Sequence, residues 1–378
     1  MASPRSIAFI AGDPSGDLHC APVIKELLKR SEGLKTWGIG GPNMQREGFE
    51  PLFPFAPFNK MGFVEVAKHI GFFLKAKRQM VNALKQRRPD VLVCVDYPGF
   101  NMPVMKEAKK LNIPVLYFIA PMVWAWKKKR AKTLGTQASH IAVIFPFEVN
   151  FFKQYKAPVS FVGNPLIEAN AEEGYSLTSP KTAPTADQPL RLAIVPGSRS
   201  QEVSKMLNPM IKAALIVKKQ YPQTIITVSK CPGLHDSHFS SVSEIDTIEL
   251  FSGPLRQQLS QSDLALVTSG TASLECALLG VPMVVAYRTS TLNYHILKSL
   301  ITIPHIGLPN IIAGREIVPE CIQNETEPEK MASKILKLVK KPSIYYNCAS
   351  ELYKLNNILG EKKPSTTVAE IIESLGYG

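Results

Sequence analysis

A repeated order constrains this chain most: a short apolar run, a turn of small residues, then a helical pattern. The runs are SIAFIAG (6–12), VLVCV (91–95), IPVLYFIA (113–120) and HIAVIF (140–145), then RLAIVPG (191–197), TIITVS (224–229), DLALVTS (263–269) and VPMVVAY (281–287). Apolar runs without polar alternation suit strands covered on both faces, as in parallel sheets. Helices are expected over 17–31, 102–111, 201–220, 254–261, 271–279, 328–341, 343–357 and 364–376. Strands alternating with helices give a doubly wound α/β fold.

Residues 168–190 interrupt the alternation. They are rich in Pro, Ser, Thr and Ala and read as a linker. At ~150 residues per domain, 378 residues make about two domains. The expected division is a first Rossmann-like domain over 1–167, a second over 191–345, and a helical tail over 346–378. Such domains bind ligands at the carboxyl ends of their strands, so two in tandem suggest a cleft holding a donor and an acceptor.

The strand ends carry the candidate chemistry. After the first run comes Gly12-Asp-Pro-Ser-Gly-Asp17, where Asp13, Ser15, Gly16 and Asp17 open a helix. The helix mouth suits an anion, and Ser15 or Asp17 would also serve as its cap. The turn fits neither the dinucleotide fingerprint nor the P-loop. In the second half, Pro196-Gly-Ser-Arg199 offers Gly197 for close approach, Ser198 as a donor and Arg199 as a phosphate grip. Thr268-Ser-Gly-Thr-Ala-Ser-Leu-Glu275 presents Ser269, Gly270 and Thr271 at a helix start, with Glu275 one turn on. Phosphates at the helix mouth and a ribose diol on Glu275 would satisfy both; alternatively, Glu275 offsets the helix dipole. Asp96 ends the run VLVCVD, where partial desolvation suits a general base for a sugar hydroxyl. Asp13 and Asp17 are its rivals. There is no Asp-x-Asp motif, so neither metal nor cofactor is expected.

Charge adds a partner class. Residues 51–150 hold 16 Lys and Arg against 5 Asp and Glu, most of the net +13. Phe58, Phe63, Phe72 and Phe73 lie in or beside a basic amphipathic pattern over 65–88, and Trp124 and Trp126 precede Lys127 and Lys128. Aromatic rings beside cations suit an anionic membrane surface and acyl chains. A nucleic acid would also attract the charge, but it leaves the glycine-rich turns without a purpose. No run reaches the ~18 apolar residues of a membrane span, and no secretory signal is expected. The six cysteines form no Cys-x-x-Cys pair and read as reduced thiols.

The stretches AGDPSGDLHCA, VDYPGFN, APMVWAWKKKR, FPFE, FVGNPL, PGSRSQEV, TSGTASLECALLGVPMVVAYR and LPNIIAGR together resemble the lipid-A-disaccharide synthase family over almost the full length. The resemblance implies the two-domain GT-B fold and an inverting, metal-independent glycosyl transfer. UDP-2,3-diacylglucosamine would be joined to 2,3-diacylglucosamine 1-phosphate with release of UDP. It also implies that PGSR and SGTASLE hold the donor nucleotide, that Asn310 lines the same cleft, and that Asp96 is the essential acid. The family's first turn usually reads Gly-Glu-Ala-Ser-Gly-Asp, so Asp13 here is one methylene shorter. The implied location is the cytoplasmic face of the inner membrane, with no nucleic-acid partner; a homodimer is compatible with the sequence. The competing readings are a UDP-GlcNAc 2-epimerase or other UDP-sugar transferase on the same fold, and a non-enzymatic basic nucleic-acid-binding protein.

Overall fold

The computed structural model describes residues 4–58, 70–125, 128–185, 187–290, 294 and 303–376. The chain divides into two compact units, Met1–Pro165 with Leu359–Gly378, and Leu166–Ile358.

The first unit holds a seven-stranded parallel sheet: β1 (Ser6–Ala11), β2 (Lys35–Ile39), β3 (Glu50–Pro51), β4 (Val91–Val95), β5 (Val115–Phe118), β6 (His140–Val143) and β7 (Val159–Phe161). Their order is β3-β2-β1-β4-β5-β6-β7, with β1 paired to β4 from Ile7↔Val91 to Ala11↔Val95. Side chains alternate between the two faces along each strand. Ala8, Ile10, Leu92 and Cys94 pack under helices Ile70–Arg87 and Pro98–Lys110. Ile7, Phe9, Val91, Val93 and Val95 pack under helix Pro14–Arg30.

That second face is completed from the far end of the chain. Helix Pro364–Gly376 buries Val368, Ala369 and Ile372 in the same cluster. Full burial of Val368 and Ile372 contributes about 1.5–3 kcal/mol each. Arg30 pairs with Glu373 at 3.4 Å and Glu370 at 3.6 Å. Gly163, at φ +88°, lies so close to the returning chain that a Cβ would stand 2.0 Å from the Lys362 carbonyl oxygen. The tail expected over 346–378 is therefore not one element. Its last helix joins the first unit, while helix Pro342–Leu359 belongs almost wholly to the second.

The second unit repeats the plan with β8 (Arg191–Val195), β9 (Ile225–Ser229), β10 (Ile248–Phe251), β11 (Leu264–Thr268), β12 (Met283–Tyr287) and β13 (Glu320–Ile322), in the order β10-β9-β8-β11-β12-β13, all parallel. Part of the expected linker is anchored to this unit. Glu173 pairs with Arg256 at 2.8 Å, and Lys181 donates to the carbonyls of Ser260 and Ser262. Leu177 lies where a Cβ on Gly280 would fall. The segment has few large apolar residues, so its anchoring by ion pairs and carbonyls leaves no apolar pattern. Among the described residues no helix is long and apolar enough to cross a membrane.

Candidate active site

Each sheet has one place where its strand order reverses, between β1 and β4 and between β8 and β11. There the following loops run to opposite faces and leave a crevice at the strands' carboxyl ends. The four turns singled out in the sequence follow these four strands. Strand order thus brings 12–17 beside 96–101 in one unit, and 196–199 beside 268–275 in the other.

In the first unit, Asp13 is the N-cap of helix Pro14–Arg30; its Oδ1 accepts from Gly16 N–H at 2.9 Å. Pro14 at the first helical position suits this start, since its missing N–H has no helical partner to lose. The cap is therefore neither Ser15 nor Asp17. Ser15 Oγ lies 3.1 Å from His19 Nε2. Asp17 is buried, and its carboxylate accepts four hydrogen bonds at 2.8–3.0 Å, from the N–H groups of Gly41, Asn43 and Met44 and from the Asn43 amide. That is about the full capacity of a carboxylate. Asp17 holds the loop after β2, and the structure does not favour it as a rival base.

Asp96 and Tyr97 follow β4 with φ of +37° and +45°. Such left-handed residues cost of order 1–3 kcal/mol each and persist where surrounding contacts fix them. The fixing groups bind the Asp96 carbonyl: Asn101 Nδ2 at 2.7 Å and Tyr117 Oη at 2.6 Å. Asn101 also donates to the Val95 carbonyl at 2.9 Å. The Tyr97 ring lies over the neighbouring turn, where a Cβ on Gly12 would stand 2.8 Å from it. Burial pushes the Asp96 carboxyl up to about 6; the Asp13 charge adds to this, and a bond from Tyr97 N–H opposes it. Burial likewise raises Asp13, against the pull of Gly16 N–H. A carboxylate poised near neutrality at a strand end can accept a hydroxyl proton.

Glu148, within FPFE, received no role in the sequence reading. It is buried, with Trp124 Nε1–H donating to one oxygen and Phe145 N–H to the other, both at 3.1 Å. Burial pushes its carboxyl up to about 8 against these donors, and the Asp96 charge adds to the rise. The available signal was Pro146 at a helix start with Glu two residues on, which resembles a capping box. Either carboxyl oxygen can accept an N–H, whereas an amide NH₂ cannot. Glu148→Gln is therefore expected to cost about 1–3 kcal/mol, read as a lower urea midpoint at unchanged m.

The residues expected to meet lipid divide. Phe58 is fully buried, with ring centroids 5.1 Å from Phe72 and 5.8 Å from both Phe73 and Phe100. Phe72 and Phe73 are half-buried against it, and Phe73 reaches Tyr97 at 6.4 Å. Trp124 is buried on Glu148 and Phe147. The phenylalanine cluster reaches the Asp96–Tyr97 bend through Phe73 and Phe100, and the burial of Phe58 and Trp124 corrects the expectation that these two face a membrane. Among the described residues, the exposed large apolar side chains nearby are Leu74 (61%) and Met122 (51%). Phe63, Trp126 and Lys127 lie outside the described residues; Lys128 opens helix Lys128–Gln137.

In the second unit, Gly197 has φ +122° and would carry a Cβ 2.6 Å from that of Glu202. Glu202 Oε2 accepts the N–H groups of Ser198 (3.0 Å) and Arg199 (3.2 Å), and Oε1 meets Arg199 Nη1 at 2.7 Å. The donors expected to bind phosphate are thus engaged by a carboxylate, while the Arg199 side chain remains 76% exposed. Across the crevice, Gly270 and Thr271 are exposed at the mouth of helix Thr271–Leu278. Ser269 Oγ donates to the Ile306 carbonyl at 2.7 Å, and Ser273 Oγ, inside the helix, donates back to the Gly270 carbonyl at 2.7 Å. Burial raises the Glu275 carboxyl, opposed by Arg256. Burial also raises the Cys231 thiol, two residues past the end of β9, with the charges of Glu275 and then Glu202 adding to it.

Asn310 is buried, and its amide makes four hydrogen bonds of 2.7–2.9 Å inside the fold. This is the amide's whole capacity. Direct contact with a donor, as expected from the resemblance, is replaced by a role in fixing the loop around it.

Comparison with known proteins places these turns in a family. The family model described as lipid-A-disaccharide synthetase matches residues 7–370. The chain is 34% identical to the lipid-A-disaccharide synthase of Syntrophus aciditrophicus, over 94% of each chain, and 35% identical to that of Anaeromyxobacter dehalogenans, over 98% of each. Among solved structures it is similar to a putative UDP-N-acetylglucosamine 2-epimerase from Listeria monocytogenes (TM-score 0.67, 13% identity, 99% of this chain and 96% of that one) and to MurG of Acinetobacter baumannii (0.58, 16%, 98% and 100%). The structural likenesses establish the two-domain α/β fold of GT-B enzymes, and the match across both pairs of turns goes further: the chain belongs to the lipid-A-disaccharide synthetase family.

Proposed function

We propose that this protein is a glycosyltransferase that joins UDP-2,3-diacylglucosamine to 2,3-diacylglucosamine 1-phosphate. The products are the β-1,6-linked disaccharide 1-phosphate and UDP. The family match over nearly the whole chain carries this reading. Asp96 takes the proton of the acceptor's 6-hydroxyl. The oxygen attacks the donor's anomeric carbon from the face opposite UDP, and the bond to the diphosphate breaks with inversion. Support for this base is its half-buried carboxyl, raised to about 6 and held on a fixed bend. The exposed Arg199 guanidinium and the mouth of helix Thr271–Leu278 stabilise charge developing on the leaving diphosphate. Glu275 takes the ribose hydroxyls.

The test is to supply both lipid sugars and follow UDP and disaccharide. Disaccharide formation with one UDP per product supports the reading. Consumption of UDP-N-acetylglucosamine without acceptor, giving its 2-epimer, would replace it with the epimerase reading.

Acyl substrates also require a lipid surface, because each buried CH₂ is worth ~0.8 kcal/mol. Support for such a surface comes from exposed Leu74 beside Lys75 and Arg78 on helix Ile70–Arg87. Sedimentation should be greater with anionic than with zwitterionic vesicles, and should fall as salt rises. Equal sedimentation with both would discard the electrostatic part.

A further inference from the structure

We infer that Glu320, at the start of β13, is the positioning residue of the turn Ser269–Thr271, which it sets from behind through a single peptide group. The inference rests on the assignment of that turn to the donor nucleotide. Glu320 pairs in register with Val285 of β12, next to β11, whose end carries the turn. Its side chain is nearly buried. The carboxylate accepts Ile306 N–H at 3.1 Å, Gly307 N–H at 2.9 Å and Asn310 Nδ2–H at 2.7 Å. His305 Nδ1 stands 3.9 Å away.

The decisive geometry is in the peptide joining Ile306 to Gly307. Its N–H, on Gly307, points to Glu320, and its C=O, on Ile306, accepts the Ser269 hydroxyl at 2.7 Å. The two bonds leave opposite ends of one rigid plane. A carboxylate on the N–H polarises the group and strengthens the carbonyl as an acceptor. Rotation of the plane would break both bonds together. Gly307 fits this close approach, since a Cβ there would stand 3.2 Å from Glu320 Oε1 and 3.1 Å from Val285. Asn310 completes the brace: its Oδ1 accepts Ile317 N–H and Val318 N–H while its Nδ2 holds Glu320. Ser269 N–H is already fixed on the Ala286 carbonyl at 3.0 Å, so the hydroxyl contact sets the remaining freedom of the turn.

The experiment uses the full chain with Glu320→Gln, Ser269→Ala and the double variant. UDP binding is measured by calorimetry, and KM is measured for the donor and the acceptor sugars. In Glu320→Gln one acceptor oxygen becomes a donor facing N–H groups. UDP affinity is expected to fall about 10-fold, as for removal of supporting partners elsewhere. The donor KM should rise with it while the acceptor KM stays put. Ser269→Ala should do the same, and the double variant should be no worse than either single one, because both cut one link. A merely structural Glu320 would lower the urea midpoint and leave UDP affinity of the folded protein unchanged. That result overturns the inference, as do additive losses in the double variant. Should Glu320→Gln not fold, Ser269→Ala alone decides, and an unchanged UDP affinity sinks the link. If the parent protein itself takes up no UDP, the donor assignment fails first, and this inference with it.

Discussion

Asp96→Asn should reduce disaccharide formation about 10²–10⁴-fold, the usual contribution of a positioned base, while UDP binds as before. The change is nearly isosteric. Asn tolerates left-handed backbone better than most residues. The bonds from Asn101 and Tyr117 fall on the residue's carbonyl, so the bend survives. What disappears is the proton acceptor. The parent enzyme should show the same group in its pH profile. Its carboxyl titrates at about 6, so the base is charged above that pH and protonated below it. The parameter kcat/KM should be level above about pH 7 and fall tenfold per unit below about 6, whereas an ordinary Asp near ~3.9 would leave it level to about pH 5. Asp13→Asn keeps the helix cap but removes a charge that raises Asp96. The acid limb should then move to lower pH. A near-parental rate in Asp96→Asn would remove Asp96 from its role.

Arg199→Ala should lower kcat/KM about 10²–10³-fold, the typical loss of one donor to developing oxyanion charge. The fold should not register it. The side chain is 76% exposed, and the backbone N–H groups of Ser198 and Arg199 remain on Glu202. A urea midpoint equal to that of the parent, together with the kinetic loss, separates this outcome from unfolding. Arg199→Lys should recover part of the loss, since Lys restores the charge without the planar pair of donors. If Arg199→Ala keeps parental kinetics, the diphosphate is held elsewhere.

The central strands were legible because β1, β4, β8 and β11 are buried on both faces and write themselves as unbroken apolar runs. The outer strands were not. Val159–Phe161 and Glu320–Ile322 have only three residues each, and in Lys35–Ile39, one strand in from the edge, Lys35, Thr36 and Gly38 interrupt the apolar pattern. The turns were legible from glycine and hydroxyl content, but their pairing was not, because strand order is a property of the sheet. Asp17 and Asn310 show the harder limit. Both read as ligand-facing polar residues in a motif, yet their partners are mainly backbone groups of a nearby loop, Gly41 to Met44 for one and Ile317 to Val318 for the other. A short polar side chain that braces a loop looks, in sequence, like one that binds a substrate. Glu148 and Glu320 escaped for the opposite reason. Neither lies in a glycine-rich turn, and each gains its meaning from donors elsewhere in the chain.

Helix Pro364–Gly376 covers part of the face of the first sheet that carries Ile7, Phe9 and Val93. A ribosome releases those strands long before it releases their cover, with the entire second unit in between. During synthesis the early sheet must therefore wait with an apolar strip uncovered, while the later sheet can close on itself at once. Unfinished or prematurely terminated chains would present that strip to chaperones, proteases and one another.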